Sequence, residues 1–561
     1  MPARLGAATV VGLGNPPYGV KGTTMSRRMS GVFVVLATLS GLLAVAPPTQ
    51  AATAAEGPPV DYIVLARDGS RLAAAATAAR RLGAKIVRSN QDVSMLTVSA
   101  TRTDFAEQLS NDATVEGVTR NVAIGRTGTP QLRKGPGAEG GAASANAAPA
   151  AISGAEPLAG QQWDMAQIGA TPTGSYRIEL GSKAVKVGII DSGIDATHPD
   201  VAPNLDLAAS RNFAPNIPAL DGDSILEPVG TDPFGHGTAM ASLVAAPING
   251  LGMAGVAPNV TLVDLRAAQR SGYVLVEPVV NALTYAARNG IDVVTLAFSI
   301  DPWLWNCVNN AADTPAERSE QRATITAVLR AVLFARSRGV TMVAAAGNEN
   351  TDMDHTSIDS SSPSTGVPHD RTIDPNSCFY LPVMAPGVIG VGGTNIDGIK
   401  ADLSNYGRPV DLAAPSGDVF HVPGVFGPID STNRVVQAIS RDGAFNLGLI
   451  DAAGVPTDPR VFTSCTGAIC AYYVYQIGTS VSVPHVAGVA ALIISKYGSR
   501  QPDGGLGMDP GLVSARLFRT ATPKACPATY DDTFGPATCV RTAKGTNFYG
   551  FGVVNAAAAV R

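Results

Sequence analysis

The sequence predicts an α/β protein in which a large, doubly wound and mostly parallel sheet follows a small α+β domain with a ferredoxin-like plan. Two patterns carry this prediction. In the second part of the chain, continuous apolar runs of strand length alternate with helix-length segments, as in buried parallel sheets covered by crossover helices. Nearer the N-terminus, a shorter stretch has the order strand, helix, strand, strand, helix, strand. The 561 residues suffice for a sizeable core with accessory segments.

The N-terminal segment has the features of an export signal. A charged start, "MSRR" at 25–28, precedes an apolar run at 31–46 and the small-residue cleavage pattern "TQA" at 49–51. We therefore expect residues 1–24 to be an upstream extension and residues 25–51 a signal peptide, which makes the protein secreted and extracellular. The alternative is an uncleaved membrane anchor, but the apolar run is short for a membrane span. No membrane association is expected once the signal is removed.

Residues 58–123 are predicted to form the small domain. Its six elements are the strand "YIVLA", the helix "SRLAAAATAARRLG", the strands "KIVRS" and "MLTVSA", the helix "TDFAEQLSN" and the strand "VEGVTRNV". Residues 124–157 are rich in Gly, Ala and Pro and lack periodicity, which is typical of a flexible linker open to proteolysis.

Residues 158–561 are predicted to form the doubly wound domain. Its buried strands are expected at "VKVGII" (185–190), "VTLVDL" (260–265), "IDVVTLAF" (291–298), "VTMVAAA" (340–346) and "GVIGVGG" (387–393). Crossover helices are expected at "EPVVNALTYAARNG", which has Pro278 near its start and Gly290 at its end, and at "RATITAVLRAVLFARSRG" (322–339). Three insertions, 301–321, 351–376 and 418–471, are expected to rim the cleft.

Charge and cysteine content exclude some classes of function. The formal net charge of −4 and the absence of a Lys/Arg block argue against nucleic-acid binding. No C-x-x-C pair or zinc-type His spacing occurs, so no metal site is predicted from these residues. Six cysteines in an exported chain predict disulfides, with 15 possible pairings. Short separation favours Cys465 with Cys470 and Cys526 with Cys539, which leaves Cys307 for Cys378.

Polar side chains occur where the predicted strands end or helices begin. Asp191 ends the strand "VKVGII", and Asn348 follows the strand "VTMVAAA". His236 lies between two glycines at the start of a helix. Ser480, in "GTSVSVPHVAG", is placed at the N-terminus of a helix whose first turn would hold Pro484. The carboxyl ends of parallel strands meet at one sheet edge, so these residues are expected to lie together.

These four residue types suit nucleophilic catalysis. A serine nucleophile needs a base, a carboxylate that orients the base, and hydrogen-bond donors for the oxyanion. Each group alone also fits a structural role as a cap or turn residue. Their joint occurrence, in the chain order Asp, His, Ser, favours a serine hydrolase.

Eight motifs carry a resemblance to the subtilisin-like serine peptidases (subtilases, peptidase S8). They occur in the family's order: "DSGID" with "HPD", "GHGT", "GVAP", "AAAGNE", "DLAAP", "GTSVSVPHVAG" and "YGFGVVNA". The resemblance implies Asp191 as the orienting carboxylate, His236 as general base and acid, Ser480 as nucleophile and Asn348 as oxyanion donor. It also implies the substrate-binding residues Leu296, Ala297, Phe298, Ser299, Ala345 and Gly347. The strand that usually reads "SLG" here contains Ala297, Phe298 and Ser299, so the resemblance does not fix the specificity.

The resemblance further implies a secreted serine-type endopeptidase (EC 3.4.21) that hydrolyses protein or peptide substrates through an acyl-enzyme. Chemistry of this kind requires no cofactor, although the loop "PINGLGMAGVAP" lies where some relatives bind a structural calcium ion. The small N-terminal domain resembles the family's inhibitory propeptide, and a monomer is expected. Two alternatives remain: an inactive binding protein of the same fold, and a serine-carboxyl (sedolisin-type) peptidase, which would have Glu and Asp in place of His236.

Overall fold

The computed structural model describes residues 55–121, 156–222, 225–364, 367–422, 425–426, 430–502, 504–528, 530 and 535–561. The predicted upstream extension, the signal peptide and nearly all of the predicted linker lie outside these ranges. The described residues comprise a small N-terminal domain and a large α/β domain.

The N-terminal domain has the predicted element order. Its strands are β1 (Glu56–Ala66), β2 (Lys85–Asn90), β3 (Met95–Arg102) and β4 (Val115–Arg120), and its helices are α1 (Leu72–Arg81) and α2 (Phe105–Ser110). The strands form an antiparallel sheet in the order β2-β3-β1-β4. Apolar side chains of both helices pack on one face of the sheet. This is the ferredoxin-like arrangement that the sequence predicts.

The large domain is built on a seven-stranded parallel sheet. Its strands are β5 (Lys186–Ile190), β6 (Arg211–Asn212), β7 (Thr261–Arg266), β8 (Val293–Leu296), β10 (Thr341–Ala345), β14 (Val388–Thr394) and β15 (Leu412–Pro415). They lie in the order β15-β14-β10-β8-β5-β7-β6. The first strand, β5, is central, and the chain next adds strands on one side of it and then on the other. A crevice therefore lies at the carboxyl ends of the central strands.

The large domain has helices on both faces of this sheet and further short helices beside it. They are α3 (Trp163–Ile168), α4 (Pro218–Asp221), α5 (His236–Ala245), α6 (Val276–Arg288), α7 (Pro315–Ser337), α8 (Arg441–Asn446), α9 (Thr479–Tyr497), α10 (Pro510–Thr520) and α11 (Ala556–Ala559). One apolar cluster joins the sheet to α5 and α9, and a second joins its other face to α6 and α7. The predicted doubly wound α/β fold is confirmed.

The other strands of the large domain lie outside the seven-stranded parallel sheet. They are β9 (Asn306–Cys307), β11 (Ser357–Asp359), β12 (Arg371–Ile373), β13 (Cys378–Phe379), β16 (Phe420–Val422), β17 (Val425–Phe426), β18 (Val435–Ala438), β19 (Val461–Thr466), β20 (Ile469–Gln476), β21 (Ser499–Arg500), β22 (Leu506–Gly507), β23 (Arg541–Thr542) and β24 (Gly545–Thr546). The three predicted disulfides, Cys307–Cys378, Cys465–Cys470 and Cys526–Cys539, are all present.

Among the boundaries that differ from the prediction are the starts of two helices. Helix α7 begins at Pro315, seven residues before the predicted start, because Thr314 and Glu317 form a capping box ahead of it. Helix α9 begins at Thr479, so Pro484 is its sixth residue. The prediction that Pro484 lies in the first turn is therefore wrong, because it lies in the second. Pro484 has no N–H group, and the carbonyl of Ser480 therefore receives no helical hydrogen bond from that position.

Among the described residues, one helix, α9, is long and apolar enough to cross a membrane. Most of its apolar stretch, 83%, is buried inside the protein, as expected for the core helix of a globular domain.

Candidate active site

Asp191 and His236 meet at the carboxyl edge of the sheet. Asp191 follows β5, and His236 is the first residue of α5. The imidazole Nδ1 of His236 lies 2.8 Å from Oδ1 and 2.9 Å from Oδ2 of Asp191. A carboxylate bound at Nδ1 holds the proton there and leaves Nε2 as the nitrogen that can accept one. This pair has the geometry of an oriented general base.

The surroundings of His236 favour its protonated form. Desolvation lowers the pKa of His236, but the charge and hydrogen bond of Asp191 and the charge of Asp232 raise it. The net effect is a pKa above the ordinary value for histidine. The charged, imidazolium form of His236 is therefore stabilised.

Asp232 supports this pair, and the sequence reasoning missed it. Its buried carboxylate accepts hydrogen bonds from the Ser192 hydroxyl (2.8 Å), the Gly235 N–H (2.8 Å), and the Thr238 N–H (2.8 Å) and hydroxyl (2.7 Å). Burial raises the pKa of Asp232, whereas the four hydrogen bonds donated to its carboxylate favour the ionised form. Asp232 therefore joins the turn after Asp191 to the start of the His236 helix. Its position shortly before a helix start was the available signal.

Ser480 and Asn348 are brought together through Thr479. The side-chain oxygen of Asn348 accepts hydrogen bonds from the Thr479 N–H (2.8 Å) and hydroxyl (3.0 Å). The amide nitrogen of Asn348 therefore remains available to donate. A Cβ atom built on Gly478 would lie 3.3 Å from Ser480 Oγ and 3.5 Å from Asn348 Nδ2. The hydroxyl of Ser480 and the amide of Asn348 thus face the same small space.

The two pairs lie at one edge of the fold because Asp191 follows β5 and Asn348 follows β10, and these strands run parallel in one sheet. Helix α5, which begins with His236, contacts helix α9, which begins with Thr479 and Ser480. The N-terminal N–H groups of α9 lie beside Ser480, where the helix dipole favours negative charge. All four candidate residues are therefore at this edge of the sheet.

The predicted substrate-binding residues lie at the ends of two adjacent strands. Strands β8 and β10 pair in parallel, with Leu296 opposite Ala344. Their ends place two short segments side by side, Leu296, Ala297, Phe298 and Ser299 on one and Ala345 and Gly347 on the other. Phe298 and Ser299 are half-buried, and Gly347 has a φ angle of +107°, which favours glycine. The Gly347 N–H donates to the Thr479 hydroxyl, which ties this segment to the Ser480 turn.

A cluster in the insertions superficially resembles a metal site. Ligand atoms of Asp313, Glu317 and His369 lie within 4.8 Å of one another. The Asp313 carboxylate, however, is bound by the guanidinium of Arg371 at 2.8 and 3.1 Å. A buried ion pair with both carboxylate oxygens engaged indicates a structural role.

Comparison with known families agrees with this geometry. The model of the subtilase family, peptidase S8, matches residues 182–552, which is well over half of the chain. The chain belongs to the subtilase family.

Known subtilases are distant in sequence. Subtilisin DY of Bacillus licheniformis is 27% identical over 338 residues, or 60% of this chain and 84% of that protein. The thermophilic serine proteinase of Bacillus sp. strain AK1 is 27% identical over 323 residues, and the match covers 57% of this chain but only 55% of that relative.

Solved structures share the fold of this subtilase. The epidermin leader peptide processing serine protease EpiP of Staphylococcus aureus matches with a TM-score of 0.60 and 20% identity. The match covers 90% of this chain and 98% of that protein. At this identity the likeness concerns the fold alone.

Proposed function

We propose that this subtilase is a secreted, monomeric serine endopeptidase that cleaves peptide bonds of protein or peptide substrates through an acyl-enzyme. The observation that carries the proposal is the joint placement of two pairs at one sheet edge. Asp191 is hydrogen-bonded to His236, and Asn348 is held beside Ser480. No cofactor is needed for this chemistry.

Each of the four residues has a distinct role in the proposed reaction. Ser480 Oγ attacks the substrate carbonyl while His236 accepts the serine proton and later donates it to the leaving amine. Asp191 holds the imidazole in the required tautomer and stabilises its charge. The Asn348 amide and the N-terminus of α9 donate hydrogen bonds to the oxyanion. Water then hydrolyses the acyl-enzyme by the same proton transfers in reverse.

Both alternatives from the sequence are less consistent with this arrangement. An inactive binding protein would have no need of the complete set of nucleophile, base, carboxylate and amide donor. A serine-carboxyl peptidase would require a carboxylic acid where His236 lies, whereas His236 is engaged by Asp191 through Nδ1.

Peptide hydrolysis by matched variants tests the proposed activity. Ser480→Ala is expected to abolish hydrolysis without unfolding the protein, because it removes one oxygen at a helix start. Ser482→Ala is the control, since the Ser482 hydroxyl is buried on the same helix and donates to the Ala414 and Pro415 carbonyls. Equal activity of the Ser480→Ala variant and the wild type would contradict the proposal.

We also propose that the N-terminal domain, within residues 58–123, is an inhibitory propeptide joined by a cleavable linker at 124–157. Support comes from its contact with helices α6 and α7. Apolar side chains of β1 and β3 join the cluster formed by these helices. The buried Glu277 carboxylate of α6 accepts hydrogen bonds from Arg88 (2.9 Å) and Asn121 (2.6 Å) of the N-terminal domain.

This contact combines one buried charge with exposed ion pairs. Thr97 of the N-terminal domain also donates to Glu277, at 2.8 Å. The pair Arg288 with Asp92 is more exposed. Removing one partner of a buried, hydrogen-bonded charge costs much more binding free energy than removing one partner of an exposed pair. Glu277 is therefore expected to anchor the N-terminal domain.

Processing of the full chain tests the propeptide proposal. The wild-type chain is expected to cut itself within 124–157, whereas the Ser480→Ala chain accumulates uncut. Glu277→Ala should weaken inhibition by the released domain at least tenfold, because about 2–5 kcal/mol follows from breaking a buried charged contact. Arg288→Ala, at the exposed pair, should change inhibition only a few-fold. Normal processing of the Ser480→Ala chain without other proteases, or equal effects of the two interface variants, would refute the proposal.

A structural calcium ion remains a prediction for the loop at 247–258. Oxygen Oδ1 of Asp200 and Oε2 of Glu156 are buried and have no hydrogen-bond partner among the described residues. The other oxygen of Asp200 accepts bonds from the Met253 N–H and the Tyr473 hydroxyl. Two free carboxylate oxygens fit a calcium ion, which would stabilise the loop without taking part in the reaction. Chelation should lower the melting temperature of the wild type but not of Asp200→Asn, and equal melting with calcium and with chelator would rule this ion out.

A further inference from the structure

One bulky side chain fills the recess between the two predicted substrate segments. Tyr380 is 3% exposed, and its hydroxyl donates to Glu349 Oε2 at 3.3 Å. A Cβ atom built on Gly347 would lie 2.6 Å from this hydroxyl. The backbone next to Tyr380 is tied to the segment after β8, because the Ile300 N–H donates to the Leu381 carbonyl at 3.2 Å. Tyr380 therefore lies close to the segments that follow both β8 and β10.

Tyr380 is held firmly in this position. It directly follows β13, which pairs with β9 and is joined to it by the Cys307–Cys378 disulfide. The edge of the Tyr380 ring packs against Trp305, with ring centroids 5.3 Å apart and an interplanar angle of 86°. The Tyr380 N–H lies 3.1 Å from the sulfur of Met384. The disulfide, the ring contact and the backbone contact together fix the position of the phenol.

The recess lies where a substrate side chain must enter. In the proposed reaction the attacked carbonyl sits between Ser480 Oγ and Asn348 Nδ2. The residue that contributes this carbonyl is called P1, and its side chain is attached to the Cα atom next to the carbonyl carbon. It therefore extends into the space between the strand ends that flank Asn348. The hydroxyl end of Tyr380 lies beside the strand end after β10.

The acidic side chain next to Tyr380, that of Glu349, already has several hydrogen-bond partners. The Glu349 carboxylate accepts hydrogen bonds from the Asn405 side-chain amide (2.7 Å) and the Asn348 N–H (3.1 Å), in addition to Tyr380. An ammonium or guanidinium group would have to displace these donors. The Glu349 carboxylate is thus not free to pair with a cation, and the phenol of Tyr380 already lies beside the segment after β10.

We propose that Tyr380 closes the floor of the P1 pocket and restricts cleavage to peptides with short, uncharged P1 side chains such as alanine. This inference rests on the proposed function of the same site, since it assigns its substrate class. Pocket shape decides such discrimination because one misfitting methylene changes kcat/KM by about 10- to 200-fold.

Three peptide p-nitroanilides that differ only in P1, with Ala, Phe or Lys, test the proposal on the matured enzyme. The wild type should cleave the Ala peptide with at least about tenfold higher kcat/KM than either other peptide. Tyr380→Ala should raise the Phe-to-Ala ratio of kcat/KM by at least about tenfold, because it opens the floor. Tyr380→Phe keeps the ring and loses only the hydroxyl, so it should retain the preference for alanine.

The outcomes separate this inference from the proposed function. A wild type that prefers Phe or Lys, with activity that depends on Ser480, overturns the role of Tyr380 alone. An unchanged ratio in an active Tyr380→Ala variant does the same. If Tyr380→Ala does not fold, the inference is still tested by the P1 preference of the wild type and of Tyr380→Phe, which should both favour the Ala peptide. Hydrolysis that persists in Ser480→Ala overturns the proposed function and this inference with it.

Discussion

The two halves of the candidate site are organised by different forces. On the Asp191–His236 side, a buried carboxylate, Asp232, binds both catalytic segments and adds its charge to the field at the imidazole. On the Ser480 side, neutral hydrogen bonds from Thr479 to Asn348 fix the geometry. The pKa of the proposed base is thus raised by charge, whereas hydrogen bonds between neutral groups position the proposed nucleophile and oxyanion donor. Substitutions on the two sides should therefore differ in their pH dependence as well as in their size.

The largest expected effect tests whether the two halves act as one unit. His236→Ala and Ser480→Ala should each lower kcat by about 10⁶-fold, and the double variant should lose little more. Steady-state hydrolysis of one peptide by the three purified variants measures this. Losses that multiply in the double variant would mean that the halves work independently.

A smaller effect is expected on the positional side. Asn348→Leu should lower kcat by about 10²–10³-fold with little change in KM, because the amide meets charge that develops only in the transition state. The pH profile should keep its shape, since no charge near His236 is altered. A change confined to KM would assign Asn348 to substrate binding instead.

On the charged side, Asp232→Asn should change the pH profile. Removing this negative charge lowers the pKa of His236, and protonated His236 cannot accept the serine proton. The acid limb of kcat/KM should therefore move to lower pH, with a reduced kcat from looser positioning. Ser192→Ala removes a hydrogen bond of the same carboxylate but keeps its charge, so its acid limb should stay in place. If the acid limb of kcat/KM in Asp232→Asn stays at the wild-type pH, Asp232 does not raise the pKa of His236 as proposed.

The smallest effect concerns a buried carboxylate outside both halves. Burial and the neighbouring Asp402 raise the pKa of Asp418 to about 8, against 3.8 in the unfolded chain. Between these values the folded form holds a proton that the unfolded form has lost, so stability falls as the pH rises from about 4 to 8. Asp418→Asn should raise the melting temperature by roughly a few degrees at pH 8 and have little effect at pH 4. An equal shift at both pH values would contradict this explanation.

The sequence predicted the elements whose signals are local. Apolar runs located five of the seven strands of the large sheet but not the short edge strands β6 and β15. Strand ends and helix starts gave the expected places of Asp191, His236, Asn348 and Ser480 along the chain. The start of α7 was also readable, because "TPAE" at 314–317 is a capping-box pattern, but it was assigned to an insertion. Such signals suffice to predict an element when residues close to it in sequence determine its structure.

Other features depend on contacts between distant parts of the chain. The role of Asp232 requires Ser192 to lie against it, 40 residues earlier. Tyr380 reaches the substrate segments only because β9 and β13 pair across 71 residues. Glu277 acquires its partners from a separate domain, more than 150 residues away. No local pattern encodes such pairings, so the sequence alone could not predict them.

Covalent labelling tests the central claim most directly, namely that Ser480 is a nucleophile activated by His236. The matured protein is treated with a fluorophosphonate probe, digested, and mapped by mass spectrometry. The label is expected on Ser480 alone, and His236→Ala should lose nearly all labelling while remaining folded. A label on another residue, or full labelling of Ser480 without His236, would contradict the account.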